Sequence, residues 1–331
     1  MLAVWKLFIL LGIPTQENKL KWPHWIQIIL GWLYNTRLGT VSLPQLKVEV
    51  YSSMIITLLR ERQRGTDKKT LERLDGRLQH SSVVVFPGKT RLRNLQHTLH
   101  LENYNYDDII YLTDLVVMDL KWFLFALKHS NGIPLEWVYY DPDEFDDECW
   151  TDAALKGDLK EGGMGGCTLS GVAYQVRNRQ TLALYLHCQR KGVDIHLMEL
   201  IAMYVMAVHM APNWKFKHVR FYCDNRSASY ALINKRAKLE RRDMEYVTMK
   251  FCQLSAKYHF RFWIKPIIGD ENPMADALSR FKTSYKNNAL DMSELEFINV
   301  NDVIKTVDEL LREIEKLPLN DDDPRRLFFN K

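Results

Sequence analysis

Four acidic residues stand where an acid is out of place. Asp152 lies in "WTDAAL", Glu199 in "HLMELIA", Asp224 at the end of "HVRFYCD" and Asp276 in "ADALSR". Each interrupts apolar or small residues, and an isolated buried carboxylate is costly enough that such groups are normally paired or metal-bound. Singly, each has a plain reading. Asp224 or the adjacent Asn225 caps the helix that follows, accepting from its first free N–H groups. Glu199, on a helix with Leu197, Leu200, Ile201, Tyr204 and Val205, meets a Lys or Arg elsewhere in the fold. Four such acids on four elements of one compact stretch strain that reading. Oxygen-rich carboxylate sets suit Mg2+ or Mn2+, which keep waters and also bind phosphate. Two such ions about 4 Å apart act together, one activating a water and the other stabilising the leaving oxygen of an in-line displacement at phosphorus. The chemistry implied is phosphodiester hydrolysis.

The elements that must position these acids begin after an acidic stretch, 141–148, which has six acids and no base and reads as a linker. Residues 149–157 read as a strand. The glycines at 162, 163, 165 and 166 read as a turn into a second strand, 167–176, and 181–189 as a third. Apolar periodicity places helices at 194–211, 227–235, 241–258 and 273–281, the last opening on Pro273, with strands at 218–224 and 259–267. Three strands, then helices alternating with strands, make an α/β domain over 149–281: a mixed five-stranded sheet with helices on both faces. Asp152 and Asp224 should fall on neighbouring strands. The tail, 282–331, carries one amphipathic helix, 302–316, and ends in a charged stretch.

Upstream the texture differs. Residues 1–50 mix apolar runs with prolines and aromatics, and 51–140 read as mainly helical. Leu46, Val50, Met54 and Leu58 recur at helical spacing within 42–64; two helices break at Pro87-Gly88 within 67–100; a further helix spans 108–135 and ends near Asn131-Gly132. Net charge is only +4, but Arg60 to Arg93 holds ten Lys/Arg against four Asp/Glu. Those cations are a solvated face by default and a phosphate-tracking surface otherwise, with Lys89, Arg91 and Arg93 as the candidates. The Tyr-Asp-Asp-like "NYDD" (105–108) has its tyrosines at 104 and 106, the wrong spacing for a polymerase motif. Five cysteines without Cys-x-x-Cys spacing argue against a disulfide framework and a zinc site and fit a reducing intracellular compartment, cytoplasm or nucleus. The apolar start, "MLAVWKLFILLGIP", is interrupted by Lys6, lacks a small-residue cleavage site and is too short to span a bilayer, so no membrane partner is expected.

In order, "TDAAL.G", "HLMELIA", "CDN..A...IN" and "GDENPMADALSR" resemble the motifs of a retroelement ribonuclease H domain. Upstream, "LGIPTQENKLKWPHWIQIILGWLYNTRLGTVSLPQLKVEV" looks like the end of a reverse transcriptase palm, and "LERLDGRLQHSSVVVFPGKTRLRNL" and "DLKWFLFALKHSNG" look like thumb and connection regions. The set is most similar to the DIRS-type, tyrosine-recombinase retroelements, over residues 1–281. The resemblance implies an RNase H-like fold, two Mg2+ (or Mn2+) ions held by Asp152, Glu199, Asp224 and Asp276, and contact of Asn225 with nucleic acid. It implies cleavage of the RNA strand of an RNA–DNA hybrid recognised by backbone shape and 2′-hydroxyls. The polymerase fingers and the catalytic Tyr-x-Asp-Asp are missing, so a separate polymerase portion or a second copy of the chain is the expected protein partner. Pro266 stands where relatives carry a loop histidine that aids product release, which implies slow turnover. The competing reading is a non-catalytic nucleic-acid-binding or structural remnant. A recombinase-type nuclease, which shares the fold, usually carries three acids and lacks the helix-borne "MELIA".

Overall fold

The structure, a computed structural model, describes residues 10–11, 24–100, 105–106, 108–137, 144–156, 161–180, 194–238, 241–282 and 291–317. The upstream half runs β1 (Ile26–Ile29), β2 (Trp32–Asn35), β3 (Thr40–Ser42), α1 (Gln45–Arg60), β4 (Thr66–Asp67), α2 (Lys68–Ser81), α3 (Gly88–Arg91), α4 (Arg93–His100), β5 (Ile109–Ile110), α5 (Asp114–His129) and β6 (Ile133–Pro134). Its small antiparallel sheet, β1-β2-β3-β6, leans on helices whose core includes Ile55, Leu71, Leu74, Leu78, Val116, Leu120 and Phe123. Helix α1 buries Val48, Tyr51, Ile55 and Leu58; of the expected stripe Leu58 is buried and Met54 partly so, while Leu46 is 71% and Val50 41% exposed. Two apolar stripes share this helix at compatible spacing, and the aromatic Tyr51 belongs to the inner one. Thr113 caps α5 by accepting from the Val116 N–H, which starts that helix later than residue 108.

The downstream half runs β7 (Asp147–Lys156), β8 (Glu161–Thr168), β9 (Val172–Arg177), α6 (Ile195–Met210), β10 (His218–Cys223), α7 (Arg226–Asn234), α8 (Arg242–Tyr258), β11 (Arg261–Pro266), α9 (Pro273–Ser279), β12 (Glu296–Phe297) and α10 (Val300–Glu315). Its sheet has the order β11-β10-β7-β8-β9-β12. Strands β7, β8 and β9 form an antiparallel meander, and β10 and β11 run parallel to β7. The mixed α/β arrangement is the expected one, but the described sheet has six strands, and the strand expected at 167–176 is split by a turn into the end of β8 and β9. The sixth strand, β12, comes from the tail and pairs parallel to β9. Helix α10 follows, and its face of Val303, Val307, Leu310, Leu311 and Ile314 joins the main core with α6 and α8. The opposite face of the sheet is covered by α9 through Met274 and Leu278 against Cys167 and Ala173.

Two sequence readings fail here. The glycines 162–166 are not a turn; they lie in β8, and the turn is at 169–171 instead. Flatness explains them. A Cβ at Gly165 would come within 2.6 Å of the Leu278 Cβ and 2.7 Å of the Ser279 N, and one at Gly163 within 2.2 Å of the Val176 carbonyl. Glycine there lets α9 lie directly on the sheet. The linker 141–148 also ends early. Asp147 opens β7 and is buried, accepting from the Trp214 indole N–H at 2.8 Å and the Ser170 hydroxyl at 2.9 Å. The strand expected at 181–189 falls outside the described residues. So do 141–143 and the charged end of the tail after 317.

Two glycine substitutions test this packing. Gly165→Ala should lower unfolding stability by about 1–3 kcal/mol, the scale of overpacking. Gly76→Ala, in exposed mid-α2 with nothing within 4 Å of the new Cβ, should raise it by about 0.4–1 kcal/mol. Urea unfolding of the two variants beside the parent decides both.

Candidate metal centre

Four elements bring carboxylates to one end of the sheet. Parallel pairing of β10 with β7 sets Asp224, the first residue past β10, beside the strand that carries Asp152. Helix α6 crosses that face and delivers Glu199. Its start is fixed by Asp194, which accepts from the His196 and Leu197 N–H groups and pairs with Arg241. Asn225, not Asp224, caps α7, accepting from the Ala228 N–H at 3.1 Å. That leaves the Asp224 carboxylate unused by the cap. Asp276 arrives on the first turn of α9, whose seat is held at both ends. Asn272 donates to the Thr151 carbonyl at 2.9 Å, and the Ser279 hydroxyl donates to Asp152.

The four acids form one electrostatic unit. Asp152 is 6% and Glu199 3% exposed, and Asp224 and Asp276 are half-buried. Burial raises the Asp152 carboxyl above its ordinary range, and the charges of Asp224 and Asp276 add to this against the Ser279 hydrogen bond. Glu199 is pushed up furthest, by burial and then by Asp152 and Asp224, although the Ala153 N–H and the Cys223 thiol donate to it. Asp224 is raised by burial and by Asp276. Asp276 behaves otherwise. Burial works to raise it, but hydrogen bonds from Arg280 and Lys282 outweigh that and hold it below its ordinary range. Its carboxylate is paired with Arg280 and, at 2.9 Å, with Lys282.

Among the described residues, Glu199, Cys223 and Asp224 place possible ligand atoms within 4.8 Å of one another. Cys223 escapes the sequence reading. Its only signal is the alternation of β10, which turns Val219, Phe221 and Cys223 inward toward Glu199. Burial drives its thiol well above the ordinary value. A protonated sulfur is a poor ligand for a hard cation, so the donor set that fits is the carboxylate oxygens, and the ion that fits is Mg2+ or Mn2+. Ser279, Arg280 and Lys282 also escape it, though Arg280 stands four residues after Asp276, the spacing at which helical ion pairs meet.

The basic candidates divide. Arg91 pairs at 3.2 Å with buried Asp119, which Asn94 also contacts at 2.6 Å, and lies over the Trp122 ring. Arg93 donates to the Ala237 carbonyl at 3.0 Å. Lys89 is exposed and makes no such commitment to an acid among the described residues. Asn225 faces His196, with 2.9 Å between Nδ2 and Nδ1. Pro266 ends β11, opposite Cys223 in register, and so lies in a strand rather than a loop.

No protein-family model matches the chain, and no curated protein matches it. Among solved structures, the foamy viral protease-reverse transcriptase dRH in complex with double-stranded DNA is similar at 13% identity and a TM-score of 0.33, over 81% of this chain and 42% of that one. The foamy viral protease-reverse transcriptase in complex with RNA/DNA hybrid is similar at 11% identity and a TM-score of 0.28, over 84% of this chain and 55% of that one. Likeness at this level decides nothing about the site, which stands on its own geometry.

Raised carboxyls have a defined consequence. Without divalent ions, the stability that Asp152, Glu199 and Asp224 allow is full at acid pH and is lost as pH rises through their elevated range. Asp152→Asn should therefore flatten the fall in melting temperature between acid and mildly alkaline pH in EDTA, and at the alkaline end should melt about 2–4 °C above the parent. Equal slopes would show that the acids do not repel. Arg91→Ala should cost about 1–3 kcal/mol in urea unfolding, because it strands buried Asp119. A variant as stable as the parent would return Arg91 to the phosphate-binding candidates.

Proposed function

We propose that the chain is a metal-dependent endonuclease that hydrolyses the RNA strand of RNA–DNA hybrids. The observation that carries this is the convergence of four carboxylates, from β7, α6, the end of β10 and α9, three of them raised by burial and by neighbouring carboxylates. Asp152, Glu199, Asp224 and Asp276 would hold two Mg2+ or Mn2+ ions, which when bound supply an activated water and charge stabilisation at phosphorus. The remaining chemistry belongs to the chain. The Ala153 N–H and Cys223 thiol orient Glu199, and Ser279 orients Asp152. Such outer contacts fix ligand direction and are worth roughly 10–100-fold in metal affinity or activity. Arg280 and Lys282 hold Asp276 ionised, ready to ligate at neutral pH. The half-buried floor strengthens every charge interaction at the cluster relative to water.

The sequence motifs support the finer assignments: a retroelement RNase H of DIRS-type ancestry, following palm-, thumb- and connection-like segments. No described helix is long and apolar enough to cross a membrane. Duplex contact falls to Lys89 and Asn225, with Arg91 and Arg93 largely engaged within the fold.

A labelled RNA–DNA hybrid incubated with the full chain provides the test. Cleavage should require Mg2+ or Mn2+ and spare the DNA strand. Asp224→Asn should lower the rate by about 10²–10³-fold, the scale of losing one preorganised stabilising charge, while the variant stays folded at or above parental stability in EDTA. Ser279→Ala should weaken activity about 10–100-fold and be partly rescued by excess metal. Full cleavage by Asp224→Asn would refute the site, and no cleavage with either metal would leave the remnant reading standing.

A further inference from the structure

Three cavities lie end to end along the joint between the two halves. The first, about 760 Å3, opens beside the acid cluster at His196 and continues past Arg226, Tyr230, Arg236 and Lys238. The second, about 360 Å3, shares Arg93 and Arg236 with the first and adds Lys89 and Lys235. The third, about 370 Å3, shares Val83, Phe86, Ile233 and Lys235 with the second and ends on Trp137 and Trp263. Each is of a size that holds a ligand.

The lining is one-sided. Eight Lys or Arg and no Asp or Glu line the three cavities among the described residues, in a chain whose net charge is +4. Lys235 loses proton affinity there, through burial first and also through the charge of Lys89. Arg241 is committed to Asp194 and Asp243, and buried Glu245 feels the charge of Arg93 and Arg236, but the excess of cations at the lining still favours an anion. The far end is aromatic. The Lys235 ammonium lies 4.8 Å over the Phe86 ring, Phe86 meets Trp137 edge-on at 6.0 Å, and Trp263 is 49% exposed. Cations leading to ring faces are the recognition chemistry of unpaired nucleic acid. Phosphates follow the cations and bases stack on the rings, which bases already stacked in a duplex cannot do.

We propose that the joint between the two halves is a guide channel for single-stranded nucleic acid, carrying an unpaired extension of the substrate from the acid cluster to the Trp263 face. The channel rests on the hydrolase reading only for the end at which the strand enters. The cations bind its backbone without regard to sequence, and the aromatic end takes any base.

Anisotropy of a labelled oligothymidylate with the full chain in EDTA tests the channel with no cleavage possible. The parent should bind. Arg236→Ala combined with Lys238→Ala should weaken binding about tenfold and reduce the salt slope by about 1.4, two phosphates at about 0.7 each. Trp263→Ala should weaken binding about fivefold or more, the low end for one stacked base, and leave the slope unchanged. A blunt hybrid should lose less in both variants. The channel is refuted if the parent does not bind, if folded Trp263→Ala binds as the parent does, or if the blunt hybrid weakens as much as the oligothymidylate. Oligothymidylate binding without hybrid cleavage refutes the hydrolase reading alone; cleavage without that binding refutes the channel alone.

Discussion

Mutual repulsion among Asp152, Glu199 and Asp224 is the constraint around which the downstream half is built. Carboxylates held close in a dry setting favour the neutral form, so the fold has to force them together and then supply what offsets the charge. The force comes from regular structure. Parallel pairing fixes β10 beside β7, and an almost wholly buried helix carries Glu199 down onto them. The offset comes from single donors, the Ala153 N–H, the Cys223 thiol and the Ser279 hydroxyl. Just past α9, Arg280 and Lys282 bring full positive charges; both pair with Asp276, and Arg280 also offsets part of the charge on Asp152 and Asp224. The inner acids still stay raised, and a divalent ion with oxygen preference would offset what repulsion remains most directly.

That arrangement explains the flatness of β8. The strand is rich in glycine because α9 must approach closely enough for Ser279 to reach Asp152, and a side chain at Gly165 would collide with Leu278 and Ser279. Composition alone reads such a stretch as a turn, since glycine marks turns more often than it marks close backbone approach. The order of elements after β7 was legible because hydrophobic periodicity is strong there: α6, β10, α7, α8 and β11 fall within a few residues of their sequence limits. The acids were legible because each breaks an apolar run. Less legible were features set by tertiary choice. Helix α1 carries two apolar stripes and buries the one with Tyr51. The two-residue strand β12 pairs with β9 only because α10 packs on the same core. Cys223 looked like any small core residue, and its thiol meets Glu199 only in the folded chain.

The basic segment shows the same limit. Counting cations cannot say which ones the fold consumes. Asp119, buried on α5, takes Arg91 and Asn94, and Asn94 accepts from Arg242 of α8 at 2.6 Å, so one polar chain ties the two halves together. Arg261 adds a second tie, to the Glu136 carbonyl at 3.3 Å. These bonds are what align three cavities along the joint, and they divide the cations into those that hold the halves together and those, such as Lys89, Arg236 and Lys238, that face the groove between them.

Manganese binding read by electron paramagnetic resonance addresses the central claim most directly, because free Mn2+ gives a signal that bound Mn2+ loses and no substrate is needed. The account predicts that the full chain at neutral pH depletes free Mn2+, that Mg2+ competes, that Glu199→Gln and Asp224→Asn each weaken binding strongly, and that binding falls as pH drops and the raised carboxyls take up protons. Unchanged Mn2+ binding in both variants, or none in the parent, would contradict it.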